Sequence, residues 1–123
     1  MGRKLRVLVA DDDRDLVLTL AALLRQEGHD VRGVHHGADV VDTVAEYAPD
    51  ALLLDIGLPQ TSGYEIGRAL RDRYGSARPL IVGITGRDRP EDRQLAELAG
   101  FDHYFVKPFD PGSVLATLSS LLR

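Results

Sequence analysis

Six polar residues of this sequence follow or close short apolar runs. Asp11, Asp12 and Asp13 follow Val7-Leu8-Val9-Ala10, Asp55 follows Ala51–Leu54, Thr85 follows Leu80–Ile84, and Lys107 follows Tyr104–Val106. Brought together, they define a narrow chemistry. Two like charges about 4 Å apart repel by roughly 4 kcal/mol at an effective dielectric near 20. Asp11, Asp12 and Asp55 together therefore cannot stay ionised cheaply without a cation, and Lys107 supplies only one positive charge. Hard oxygen ligands that leave room for water and a phosphate suit Mg²⁺, with Mn²⁺ as a substitute. With the metal bound, the Asp55 carboxylate is a nucleophile toward phosphorus and forms an acyl phosphate. The three phosphoryl oxygens would be met by the metal, by the Lys107 ammonium, and by the Thr85 hydroxyl with nearby backbone amides. Such transfers depend mainly on positioning and charge stabilisation. A carboxylate nucleophile has no proton to lose, so the site needs no general base.

Those residues meet only if the chain folds to bring them to one edge. The sequence alternates β-rich runs with stretches of helical spacing. The runs are Leu5–Ala10, Asp30–Val34, Ala51–Leu54, Leu80–Ile84 and Tyr104–Val106. Helical spacing covers Arg14 to Glu27, with Leu16, Leu20, Leu23 and Leu24 on one face and Gly28 closing it. A second helix is expected from Ala38 to Tyr47 before Pro49, and a third from the Ser62 cap to Tyr74. The fourth runs from Pro90 to Ala99. The fifth opens with Asp110 as cap and Pro111 in its first turn, and places Val114, Leu115, Leu118, Leu121 and Leu122 on one stripe. Strands alternating with helices imply an α/β fold, a doubly wound five-stranded parallel sheet with helices on both faces. Ligands of such sheets bind beyond the carboxyl ends of the strands, which is where all six residues stand.

Length and composition narrow the class further. A chain of 123 residues with 44% hydrophobic residues sustains one core, and the expectation is a single domain over 1–123 with no attached output domain. The absence of cysteine excludes disulfides, thiolate metal sites and cysteine nucleophiles. It also suits a reducing cytoplasm. No apolar stretch reaches the length of a membrane span, and no secretory leader pattern is present, so a soluble cytoplasmic protein without membrane contact is expected. A net charge of −4 argues against a direct nucleic-acid surface. The arginines at 68, 71, 73 and 78, and at 87, 89 and 93, read as solvated faces.

The motifs resemble those of response-regulator receiver domains from two-component phosphorelay systems, along the entire chain and in the same order. Val7-Leu8-Val9-Ala10-Asp11-Asp12-Asp13 is similar to their first strand and acidic pair. Asp55-Ile56-Gly57-Leu58-Pro59, continuing to Ser62-Gly63-Tyr64-Glu65, is similar to their phosphoacceptor loop. Ile84-Thr85-Gly86 resembles their switch hydroxyl, and Gly100 to Phe109, with Lys107-Pro108, resembles their last strand and Lys-Pro signature. The resemblance implies a (βα)5 flavodoxin-like receiver fold in which Asp55 takes a phosphoryl group from a phosphohistidine on a sensor histidine kinase or phosphotransfer protein. It implies that Asp12 binds Mg²⁺ directly, Asp11 directly or through water, and Gly57 through its backbone carbonyl. It further implies a cis peptide before Pro108, and a switch in which Thr85 moves toward the phosphate while Tyr104 turns inward. The altered face of the fourth helix, fifth strand and fifth helix would bind a downstream protein or a second copy. Gly57 and Arg87 stand at the variable positions that influence phosphoryl lifetime. The phrases Asp-Ile-Gly-Leu-Pro and Gly-Phe-Asp-His are similar to receivers associated with hybrid sensor kinases.

Taken singly, each residue has a plainer reading. Asp13 suits a helix N-terminus, where acids offset the dipole, and Asp55 alone suits a turn. Thr85 and Lys107 are ordinary strand and surface residues without their company, and Tyr104 fits a half-buried packing aromatic as well as a switch. Adjacent His35 and His36 on an extended segment point to opposite sides and read as a solvated loop, while His29 and His103 lack ligand-spaced partners. A phosphohydrolase with an aspartyl-phosphate intermediate would want an acid–base Asp two residues after the nucleophile, where this chain has Gly57. A flavin module would want a glycine- and hydroxyl-rich loop where Asp11–Asp13 would repel phosphate. A phosphorylation-independent protein-binding scaffold with the same motifs is the remaining alternative. The sequence thus reads as a phosphoacceptor without turnover as an enzyme.

Overall fold

The computed structural model describes residues 4–76, 78–86 and 89–121, so Arg87 and Leu122 lie outside the described residues. Five strands, β1 (Arg6–Ala10), β2 (Asp30–Val34), β3 (Ala51–Asp55), β4 (Leu80–Thr85) and β5 (His103–Val106), form one parallel sheet in the order β2-β1-β3-β4-β5. The crossovers are α1 (Arg14–Gln26), α2 (Val40–Tyr47), α3 (Gly63–Tyr74) and α4 (Pro90–Leu98), and α5 (Pro111–Leu121) follows the last strand. A parallel pair needs such a crossover, and burial of both sheet faces follows from it. β3 shows the consequence, with all five residues Ala51–Asp55 buried.

Alternation along the strands sorts the core into two layers. Val7 and Val9 of β1, Leu53 of β3, and Val82 and Ile84 of β4 pack with Leu20 and Leu24 of α1 and with Val114 and Leu118 of α5. Leu8, Leu52, Leu54 and Ile81 face the other way, toward Val40 and Val44 of α2 and Ile66 and Leu70 of α3. Burying each such side chain stabilises the fold by roughly 1.5–3 kcal/mol, so the sheet centre is the least deformable part of the molecule.

The helix ends follow the local sequence. Asp13 caps α1, its side chain accepting from Leu16 N–H, and Ser62 caps α3 by accepting from Tyr64 N–H. Asp110 Oδ1 accepts from Gly112 N–H at the start of α5. Gly28 and Gly100 adopt φ of +89° and +80° just past α1 and α4. Their N–H groups bond Arg25 and Glu97 carbonyls, and the next residues, His29 and Phe101, reach back to Leu24 and Ala96. This is the paired closure that glycine permits at a helix C-terminus.

Some elements differ from expectation. The turn Gly37–Asp39 is a 3₁₀ helix, and α2 proper starts at Val40. Gly37 lies under the Thr61 side chain, where a Cβ would sit 2.6 Å from Thr61 Cβ. Leu121, expected on the core stripe of α5, is 37% exposed, whereas Val114 and Leu118 are buried. The peptides Lys107–Pro108 and Arg78–Pro79 are both cis. Among the described residues, no helix is long and apolar enough to cross a membrane.

Candidate acidic phosphoryl-transfer site

The strand order reverses direction between β1 and β3, and the crevice beyond their carboxyl ends is where this topology binds ligands. The register pairs Ala10 with Leu54, which brings Asp11 alongside Asp55. It pairs Asp55 with Ile84 and Thr85 with Val106, so Thr85 and Lys107 arrive from the adjoining strands. Lys107 N–H also donates to the Thr85 carbonyl at 2.7 Å. Asp11, Asp55 and Thr85 are buried, while Asp12 is exposed at the rim.

Each buried acid divides its oxygens in the same way. Asp11 Oδ1 accepts from Asp13 N–H and Asp55 Oδ1 from Gly57 N–H, both at 2.9 Å. These two-residue turns are favoured by aspartate itself. Lys107 Nζ lies 3.0 Å from Asp11 Oδ2 and 3.8 Å from Asp55 Oδ2. The nearer contact is an ion pair with the fully buried Asp11. One carboxylate oxygen from each of Asp11, Asp12 and Asp55 lies within 4.8 Å of the other two.

The electrostatics match the geometry. Burial first, and the Asp11 charge second, push the Asp55 carboxyl up to about 6, against the lowering effects of Gly57 N–H and Lys107. Burial works against the charge of Lys107, but Asp11 and Asp55 outweigh it and raise its pKa. The site is thus short of positive charge. Three carboxylates in an all-oxygen cluster, two of them beside one ammonium, fit a hard divalent cation.

The other expected residues take their places with less definition. Gly57 is exposed on the loop after Asp55, and a Cβ there would make only ordinary contact with Asp55 Oδ1. Tyr104 is half-buried on β5 with the Arg93 guanidinium 5.3 Å from its ring centre. Asp13 is a helix cap. His35 corrects the expectation of a solvated loop: it is half-buried, and its Nδ1 lies 3.0 Å from the Asp11 carbonyl oxygen. Its neighbour His36 is exposed. The signal was the order of strands, since pairing of β1 with β2 places the residue after Val34 beside Asp11.

Fold and site together define a class, and comparison with known proteins agrees. The response regulator receiver domain family model matches residues 7–119. Response regulator MprA of Mycobacterium avium (strain 104) is 39% identical over 119 residues, covering 97% of this chain and 51% of the relative. Response regulator MprA of Mycobacterium tuberculosis (strain ATCC 25618 / H37Rv) is 39% identical over 118 residues, 96% of this chain and 50% of the relative. The chain spans about half the length of the curated relatives it matches. Among solved structures, the BeF3-activated N-terminal receiver domain of Klebsiella pneumoniae RstA superposes with a TM-score of 0.87 at 30% identity, covering 96% of this chain and 98% of that one. A CheY-like receiver domain protein from Methanospirillum hungatei JF-1 gives 0.90 at 23% identity, covering 98% and 94%, a likeness of fold. The chain belongs to the response regulator receiver domain family. It is a receiver domain of two-component signal transduction.

Proposed function

We propose that Asp55 is the phosphoacceptor and that the acid cluster holds Mg²⁺. The observation that carries this reading is Asp55 Oδ2, 3.8 Å from Lys107 Nζ, in a carboxylate cluster with buried Asp11 and exposed Asp12. Asp11, Asp12 and Asp55 would hold the ion, with the Gly57 carbonyl as a further ligand and Mn²⁺ as a substitute. When bound, the ion supplies charge neutralisation for the phosphoryl oxygens. An Asp55 carboxylate oxygen attacks the phosphorus of a phosphohistidine; the P–N bond breaks, and its electron pair leaves with the imidazole, which takes up a proton. Lys107 and Thr85 then bind phosphoryl oxygens, and Lys107 keeps its charge because its neighbours raise its pKa. The domain assists its own phosphorylation and dephosphorylation without turning over a separate substrate, and it works in the cytoplasm.

The signal would leave through the face of α4, β5 and α5, with Tyr104 following Thr85. Exposed Leu95 and Leu98 on α4 and Leu121 on α5 support an apolar partner, either a downstream protein or a second copy, and the net charge of −4 disfavours direct nucleic-acid contact. The test is intact mass after incubation with acetyl phosphate. A phosphoryl adduct is expected on the wild type with Mg²⁺, and neither on Asp55→Asn nor after chelation. An adduct of equal yield on Asp55→Asn would overturn the acceptor assignment, and wild type that takes up no phosphate from any donor would favour a phosphorylation-independent scaffold.

A further inference from the structure

We propose that His35 is a positioning residue for the metal cluster, acting through the backbone of Asp11; this rests on the reading of the site as an Mg²⁺-dependent phosphoacceptor. His35 follows β2 directly, and its Nδ1 lies 3.0 Å from the Asp11 carbonyl oxygen. A carbonyl only accepts, so Nδ1 carries the proton and the imidazole donates. Asp11 N–H in turn donates to the Val34 carbonyl at 3.1 Å, and Asp11 Oδ1 accepts from Asp13 N–H.

Asp11 is therefore held at its amide, its carboxylate and its carbonyl, the last by a side chain from the neighbouring strand. That carbonyl belongs to the peptide joining Asp11 to Asp12, which links a fully buried acid to an exposed one. Asp12 has no core packing to fix its direction. Rotation of this peptide would swing its carboxylate relative to those of Asp11 and Asp55, now within 4.8 Å. His35 holds the plane of that peptide and so sets the geometry of the three acids. Groups that orient ligands from outside the first layer commonly change metal affinity by roughly ten- to a hundredfold when removed.

A merely structural hydrogen bond would show in stability, whereas a positioning bond shows in metal affinity. An Asn amide nitrogen occupies the same δ position as Nδ1, while the Gln nitrogen lies one bond further out. Mg²⁺ affinity of metal-free wild type, His35→Asn, His35→Gln and His35→Ala would be measured by isothermal titration calorimetry, with thermal unfolding of each in chelator. Wild-type and Asn proteins are expected to bind alike, and Gln and Ala roughly tenfold more weakly, with closely similar unfolding midpoints without metal. Equal Mg²⁺ affinity in wild type and His35→Ala would overturn the proposal alone, as would equal weakening by Asn and Gln. If His35→Ala does not fold, the Asn–Gln comparison decides. Wild type that binds no Mg²⁺ would overturn the site reading and this proposal with it.

Discussion

Asp55 carries a cost that the metal-free protein must bear. Burial and the adjacent Asp11 raise its carboxyl to about 6, whereas an unfolded aspartate titrates near ~3.9. Between those values the native state holds a proton that the unfolded chain has lost. The contribution of Asp55 to the stability of the metal-free protein is therefore fullest below the unfolded value and falls as pH rises through the folded one, by roughly 2–3 kcal/mol. Asp55→Asn removes the ionisation and keeps the side-chain oxygen that accepts from Gly57 N–H. In chelator, the variant should melt several degrees above wild type at pH 8 and converge with it near pH 4, ~1 kcal/mol being worth a few degrees at this size. Melting curves that stay parallel across that range would show that Asp55 is not strained by its surroundings. At this scale the sequence was legible where residue type and position sufficed: the acids, Thr85 and Lys107 each end an apolar run. His35 was not, because its partner lies 24 residues away on a strand whose neighbour only the sheet order reveals.

At the scale of elements, periodicity located every strand and helix to within about two residues, since apolar spacing and glycine closures are local signals. What local signals do not carry is the means by which elements are tied together. Arg71, outwardly one arginine of a basic stretch on α3, donates to the carbonyls of Gly100 and Pro79 at 2.8 Å and pairs with Asp102 at 2.6 Å. Asp102 Oδ2 also accepts from Ile81 N–H, so one guanidinium joins α3 to the entries of β4 and β5. The forked donors are what make this work, and a lysine at the same position has no equivalent geometry. Arg71→Ala should cost about 1–3 kcal/mol, because Asp102 loses its charge partner and part-buried carbonyls lose donors. Arg71→Lys should recover less than half of that. Urea unfolding at constant slope would measure both, and a shift below about 0.5 kcal/mol for Arg71→Ala would identify the contact as a surface ornament. Gly67 and Gly83 were equally silent in the sequence: a Cβ at either would strike the Phe101 ring, at 2.4 and 2.6 Å, so their smallness on α3 and β4 serves a residue of the α4–β5 connection.

For the whole molecule, the acids belong to the ends of different strands, Asp11 and Asp12 after β1 and Asp55 at the end of β3. The site exists only when the sheet is assembled. A cation that binds it binds the native state and not the unfolded chain, so metal occupancy and global stability are linked, by ~2.7 kcal/mol at a hundredfold excess over the dissociation constant. The same cation relieves the repulsion that raises Asp55, so it should flatten the pH dependence as well as lift the midpoint. Thermal unfolding of wild type is therefore expected to rise by several degrees across an Mg²⁺ titration at pH 7.5, and to rise much less in NaCl of matched ionic strength. Asp12→Ala separates occupancy from screening, because Asp12 is exposed and contributes little to the core. Its midpoint without metal should stay near that of wild type while its response to Mg²⁺ largely disappears. An Asp12→Ala protein that gained as much from Mg²⁺ as wild type would move the cation away from this cluster, and a wild-type midpoint indifferent to Mg²⁺ would leave Lys107, among the described residues, as the counter-charge of the buried acids.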